Sequence, residues 1–362
     1  MPFYSSVRSK LSKPLRSATH PVVHGYNNEK VEDARTESDG TLPPQPIEPA
    51  YLKIKKVDHY YSRWQKKWKY ANTGSNVIPE MRVAPSDSKD EWQQFCFVVV
   101  REIPDGADIP PYFRIVVKSP YLLRACKEVV GEVVGVSWTV VPLQLDPKLL
   151  MTFLPQFISY RDNISAKKDL SEEEKNLVDT VDTLINYFQK DYQSTLASIK
   201  NLTSHDEITF EVLYAILVPR SIMITRNGLT NDFQALQLTS ANLFYPDVGL
   251  PYYNILLEGI DVDDSEALHI NGYRRIQSRI IIPAFQGTLK ITSLEAYPLE
   301  YHPDHENLRD AFLERGKKWV QYAAGIHHLF YEGTGGARAN GKLLKYNLNS
   351  RVMVDRSFDL AH

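Results

Sequence analysis

Residues 336–342, Gly-Ala-Arg-Ala-Asn-Gly-Lys, have the spacing G-x-x-x-x-G-K, which cradles a nucleotide's phosphates between backbone N–H groups and a lysine. The next position should carry the Ser or Thr hydroxyl that holds magnesium, and Leu343 stands there instead. A phosphate loop also leads into a helix. Here Leu344, Tyr346 and Leu348 alternate with Lys345, Asn347 and Asn349, which predicts an extended run over 343–354 and a flexible hairpin loop over 332–342. His302, Asp304 and His305, with His327 and His328 further on, offer imidazole and carboxylate ligands of the kind zinc takes. The two groups lie about seven helical turns apart at ~3.6 residues per turn, so capping and surface roles are expected and a metal-dependent enzyme is the alternative. Cys96 and Cys126 sit in apolar surroundings with no C-x-x-C spacing. The chain has no G-x-S-x-G elbow and no H-E-x-x-H. Asp261-Val262-Asp263-Asp264 lacks the Gly and terminal Glu of a calcium loop. No catalytic, cofactor-binding or metal-ligating residue is therefore expected, and no cofactor.

The remaining chemistry is recognition. Val57, Tyr61, Trp64 and Trp68 recur at helical spacing among Lys53, Lys55, Lys56, Arg63, Lys66, Lys67 and Lys69. Aromatic faces stack on bases or on a partner's side chains while cations meet phosphates or carboxylates. The competing reading is a helix or strand that docks its aromatics on the body and leaves its lysines in water. Tyr61, Trp64, Lys66, Lys67 and Trp68 are the candidate partner-binding residues.

Charge distribution supports attention to that stretch. The net charge is −2, yet residues 1–70 hold 13 basic and 7 acidic side chains and the remainder 29 and 37. Attraction to nucleic acid or an anionic surface is thus expected at the front. Residues 1–50 hold seven of the 22 prolines and few clustered apolar residues, which predicts a disordered tail. Arg8, Lys10, Lys13 and Arg16 without an acid faintly suggest a transit peptide, but no apolar face accompanies them. No apolar run approaches a bilayer span of ~20 residues, and two cysteines in apolar surroundings suit a reducing, intracellular compartment.

Elements that must position these groups follow from periodicity. Residues 72–91 read as a linker. Phe95–Ile103 and Tyr112–Lys118 read as an antiparallel pair, and Ser119-Pro120 opens a helix that ends at Gly131 or Gly135. Residues 138–161 read as an irregular buried connector. Ser171 and Glu174 form a capping box ahead of an apolar stripe from Leu177 to Ile199, which predicts a single helix about 45 Å long at ~1.5 Å per residue. Thr209–Leu217 reads as a short helix. Ser221–Arg226, Phe233–Thr239, Tyr252–Asp261 and Ile276–Phe285 read as successive antiparallel strands. A hairpin through Gln286-Gly287 to Leu289–Tyr301, then a helix from His302, completes the pattern. The expected fold is α+β, with antiparallel sheets, a long amphipathic helix and shorter packed helices. The expected divisions are a tail at 1–50, the basic-aromatic segment and linker at 51–91, and an α+β domain at 92–362.

Several stretches carry a family resemblance: Ser119-Pro120-Tyr121-Leu122-Leu123-Arg124, Pro142-Leu143-Gln144-Leu145-Asp146-Pro147, Ile291-Thr292-Ser293-Leu294, Tyr297-Pro298-Leu299-Glu300-Tyr301-His302, Arg315-Gly316-Lys317-Lys318 and Arg351-Val352-Met353-Val354-Asp355. In series they resemble the uncharacterised region that precedes the ATPase module of filamentous-fungal AAA+ proteins, over about residues 95–356. The resemblance implies a non-catalytic accessory domain that recognises a partner or substrate for a AAA+ motor. The family's ATPase module does not follow Asp355 here, which implies a truncated or stand-alone copy. Nucleic-acid or anionic-surface binding through 51–70 is the alternative.

Overall fold

Two large apolar cores organise the described residues, each built where a β-rich run meets an amphipathic helix or turn, and a smaller cluster covers the far face of the first sheet. The structure, a computed structural model, describes residues 52–73, 92–105, 110–228, 230–263, 272–322, 325–339 and 342–355. The expected tail at 1–50 and nearly all of the expected linker lie outside the described residues.

The first sheet contains β1 (Ile54–Ser62), β2 (Lys67–Asn72), β3 (Phe97–Ile103), β4 (Tyr112–Val117) and β5 (Gln144–Leu145) in the order β2-β1-β3-β4-β5. Pairing is antiparallel except between β1 and β3, which run parallel from Ile54 opposite Phe97 to Tyr60 opposite Ile103. Strand side chains alternate faces. Phe97, Val99, Ile115 and Val117 enter the larger core, while Val57, Val98, Val100 and Val116 lie buried on the other face beneath Trp92 and Tyr70. The unbroken Phe-Val-Val-Val of β3 is the signature of a central strand covered on both sides.

Helices α1 (Pro120–Val130), α2 (Pro147–Thr152), α3 (Leu154–Ser165), α4 (Glu172–Asp191) and α5 (Gln193–Thr203) follow. Ser119 caps α1 with Pro120 at its start, and Gly131 ends it at φ 62°. Ser171 and Glu174 form the expected reciprocal capping box. The expected irregular connector is corrected: residues 138–161 contain β5, α2 and most of α3. Two of its three prolines start helices, because Pro147 and Pro155 occupy first-turn positions where no N–H is needed. The expected single helix is also corrected. Tyr192, at φ −116° and ψ 23°, separates α4 from α5 and folds its ring against Tyr187 and Phe188. The apolar stripe continues across the break, so periodicity alone does not reveal it.

The second core begins with β6 (Glu207–Thr209) and a 3₁₀ turn at Phe210–Ala215. Its sheet contains β7 (Ile222–Arg226), β8 (Phe233–Phe244), β9 (Tyr252–Asp263) and β10 (Gly272–Pro283). After β11 (Thr288–Lys290) comes β12 (Ala296–Pro298), giving the antiparallel order β10-β9-β8-β7-β12. The expected hairpin at Gln286-Gly287 does not form. β10 pairs with β9, β11 with β6, and β12 with β7. Burial decides this: 3₁₀ turns at Ile291–Ser293 and Leu299–Tyr301 redirect the chain so that Ile291, Leu294, Ala296 and Tyr297 enter the core.

Helix α6 (His305–Gln321) follows, then a two-stranded ribbon of β13 (Ile326–Ala339) and β14 (Lys342–Asp355). Residues 343–354 are extended, as expected. The expected flexible loop over 332–342 is corrected, because β13 stays paired with β14 to Ala339 opposite Lys342. The Gly336–Lys342 near-match therefore lies mainly in strands rather than between a strand and a helix.

Candidate functional site

The basic-aromatic segment forms the β1–β2 hairpin. Four residues, Arg63–Lys66, connect the strands, and Lys66 closes the loop at φ 51°. The apparent helical spacing of its aromatics has a simple origin. Val57 and Tyr61 are four apart on β1, and a separation of four keeps one face of a strand as well as of a helix, while Trp64 lies in the loop and Trp68 on β2. Tyr61 and Trp68 pair across the strands, with their rings edge-on at 5.6 Å. Trp68 also lies 4.9 Å from the His59 ring, which stacks on Tyr70 at 4.3 Å; Tyr70 meets Trp92 edge-on. Tyr61 and Trp68 thus share one face. Trp64 and Lys66 stand at the tip, and Lys67 opens β2 with the opposite parity to Trp68. The tip is open to solvent: Trp64 is 89% exposed and Trp68 49%.

Sequence reasoning missed the polar cluster beneath this face. His59 Nδ1 lies 2.7 Å from Oε2 of Glu102, a carboxylate only 5% exposed on β3. Arg114 on β4 also pairs with Glu102 and donates to Gln144. His59 and Glu102 are opposite one another in the parallel β1–β3 register, a long-range pairing with no local signature. Burial, and secondly the Arg114 guanidinium, hold the imidazole below its ordinary 6.5. Arg114 offsets the carboxylate's charge, so His59 is neutral and donates Nδ1–H to Glu102. Because the folded-state value is depressed, this contribution to stability is present above about 6.5 and lost as pH falls through the folded value. Thermal melts should show wild type weakening over that acidic range, with the component missing from His59→Phe. An unchanged pH profile in that variant would remove the assignment.

Other groups that could have done chemistry have structural roles. Cys96 and Cys126 are buried in the first core, where burial pushes the Cys96 thiol up to about 12 and raises Cys126 as well. A protonated thiol is a poor nucleophile. His302 Nδ1 accepts from the Asp304 N–H at the start of α6, and His305 meets the His302 carbonyl. His327 packs edge-on against Tyr322. Among the described residues no three His, Cys, Asp or Glu side chains gather as a metal site.

Concavities lie elsewhere among the described residues. A cleft of about 550 Å³ is lined by residues of both cores, including Asp146, Lys148, Tyr214, Asn242 and Tyr253. There Asp146 caps α2 and the Lys148 ammonium lies over the Tyr214 ring. A groove of about 730 Å³ runs beside α6, lined by Ala235, Ile260, Phe312, Leu313, Trp319 and Val320. Helix α6 is laid lightly on the second core. Leu308 and Phe312 pack there, Arg315 donates to the Phe233 carbonyl at 2.7 Å, and no described residue of the helix is buried.

The second sheet coincides with a recognised sequence unit. Residues 198–303 match a family model, Domain of unknown function (DUF7025). No curated protein and no solved structure matches the chain. The DUF7025 region begins within α5 and ends just past the Leu299–Tyr301 turn, so it contains β6–β12 and most of the second core. It excludes the β1–β2 hairpin, α6 and the ribbon. No helix of the described residues is long and apolar enough to cross a membrane.

Proposed function

We propose that this chain is a non-catalytic recognition domain that binds a partner or substrate on behalf of a AAA+ motor. The carrying observation is the β1–β2 tip, where a tryptophan 89% exposed stands beside Lys66 and near a half-exposed Trp68. Large aromatics left in water next to cations mark contact surfaces more than fold supports. The link to a AAA+ motor rests on the sequence resemblance over residues 95–356. A photo-crosslinker in place of Trp64, in the full chain in its native cells, tests it. The expected product is a crosslink to a AAA+ subunit or its substrate; crosslinks to nucleic acid alone would replace the reading. The purified chain should also show no magnesium-dependent ATP hydrolysis, and hydrolysis abolished by Lys342→Ala would overturn it.

One observation favours a second reading, nucleic-acid binding: Tyr61 and Trp68 offer rings on one face of a cationic hairpin. Labelled single strands followed by anisotropy at two salt concentrations test it. Salt-sensitive binding lost in Trp64→Ala with Lys66→Ala and Lys67→Ala is the expected signature.

A further inference from the structure

The β13–β14 ribbon has two unlike faces. Residues opposite one another in its register share a face. Leu329, Tyr331, Tyr346, Leu348, Val352 and Val354 fall on one face. Glu332, Thr334, Lys345 and Arg351 fall on the other, beside the exposed Phe330 and Met353. Glycines flatten the apolar face. A Cβ on Gly335 would lie 2.7 Å from the Leu348 Cδ1 and 2.9 Å from the Tyr346 Cε2, so both side chains lie down across the bare backbone. Tyr331 folds over Gly333 and donates its hydroxyl to the Thr334 carbonyl at 3.0 Å. Yet no described residue of either strand is buried, and among the described residues each strand's only extensive packing is against the other. A two-stranded hairpin alone in water is marginal at best and gains independent stability when its apolar face is covered.

We propose that this face packs against the same face of a second copy of the chain. By register Lys342 stands at one end of this face, opposite Ala339; from there back to the His327–Val354 pair the face carries no Asp, Glu, Lys or Arg, so a two-fold contact of like on like meets no charge repulsion along that stretch. The opposite face, with Glu332, Lys345 and Arg351, lacks that property. Size also fits. Fourteen-residue strands are ~48 Å long and two side by side are ~10 Å wide, so each ribbon presents roughly 500 Å². Two ribbons stacked face to face cover roughly 1,000 Å², the lower end of what a specific interface requires. The product is a four-stranded sandwich joining two bodies. This inference does not rest on the reading of the Trp64 tip.

Sedimentation velocity of the full chain over about 1–100 μM tests it, a range suited to an interface of that size. Wild type should pass from monomer to dimer. Tyr346→Lys with Leu348→Lys should weaken association at least about tenfold while leaving the thermal midpoint of the body unchanged. Phe330→Ser with Met353→Ser, on the opposite face, should associate as wild type does. A wild-type monomer throughout the range would overturn the proposal, and a different protein would then be the occupant. A dimer that survives the lysine pair, or is lost only in the serine pair, would equally overturn it.

Discussion

Phe188→Ala unfolds at far lower urea than wild type, with a loss of about 3–5 kcal/mol. The ring is wholly buried on α4, 5.2 Å from Tyr187 and 5.5 Å from Tyr192. Tyr187 in turn meets Phe97 of β3 edge-on, so this aromatic group joins the helical layer to the first sheet at the point where α4 gives way to α5. Removing the ring deletes its transfer free energy and leaves a cavity that neighbours on rigid elements cannot fill. That is a large part of a typical domain's total of about 5–15 kcal/mol. Equilibrium urea unfolding followed by circular dichroism is the check, and a loss below about 1.5 kcal/mol would show that the layers reclose around the gap.

Glu102→Ala costs about 3 kcal/mol or more, for an electrostatic reason. It leaves the His59 Nδ1–H without its acceptor and Arg114 without its counter-charge on a largely covered sheet face. Glu102→Leu combined with Arg114→Met should cost far less, because removing both charges of a buried pair avoids stranding one of them. If the single and double variants lose the same amount, packing rather than charge explains Glu102. The same urea titration distinguishes the two outcomes.

Much of the framework is local and therefore legible. Ser119-Pro120 and the Ser171–Glu174 box act within one helical turn, so their types and spacing already specify where α1 and α4 begin, whereas sequence alone narrows the end of α1 only to Gly131 or Gly135 and the structure places it at Gly131. Alternation in β8 and the apolar run of β3 report which faces are covered without naming the partner. Partners are another matter. The two strong extended runs around Gln286-Gly287 suggest a hairpin, yet each pairs elsewhere because the second core gains more by burying Ile291 and Tyr297 than a local turn gains by closing. Tyr192 interrupts a stripe whose period never falters, since its ring finds cover by folding back.

The candidate surfaces divide the same way. Composition alone located the cationic aromatic stretch of Tyr61, Trp64, Lys66, Lys67 and Trp68, because charge and ring type belong to single residues. Which ring meets solvent, that His59 lies against Glu102, and that one ribbon face is apolar all depend on cross-strand register. Register joins residues over 40 positions apart in the β1–β3 case, and it is selected by how much surface the assembled sheet can cover. The sequence by itself determined an α+β chain with marked helix starts and a basic front. Only the tertiary structure decided which strands are neighbours and which apolar faces remain in water, since burial is a property of the whole packing.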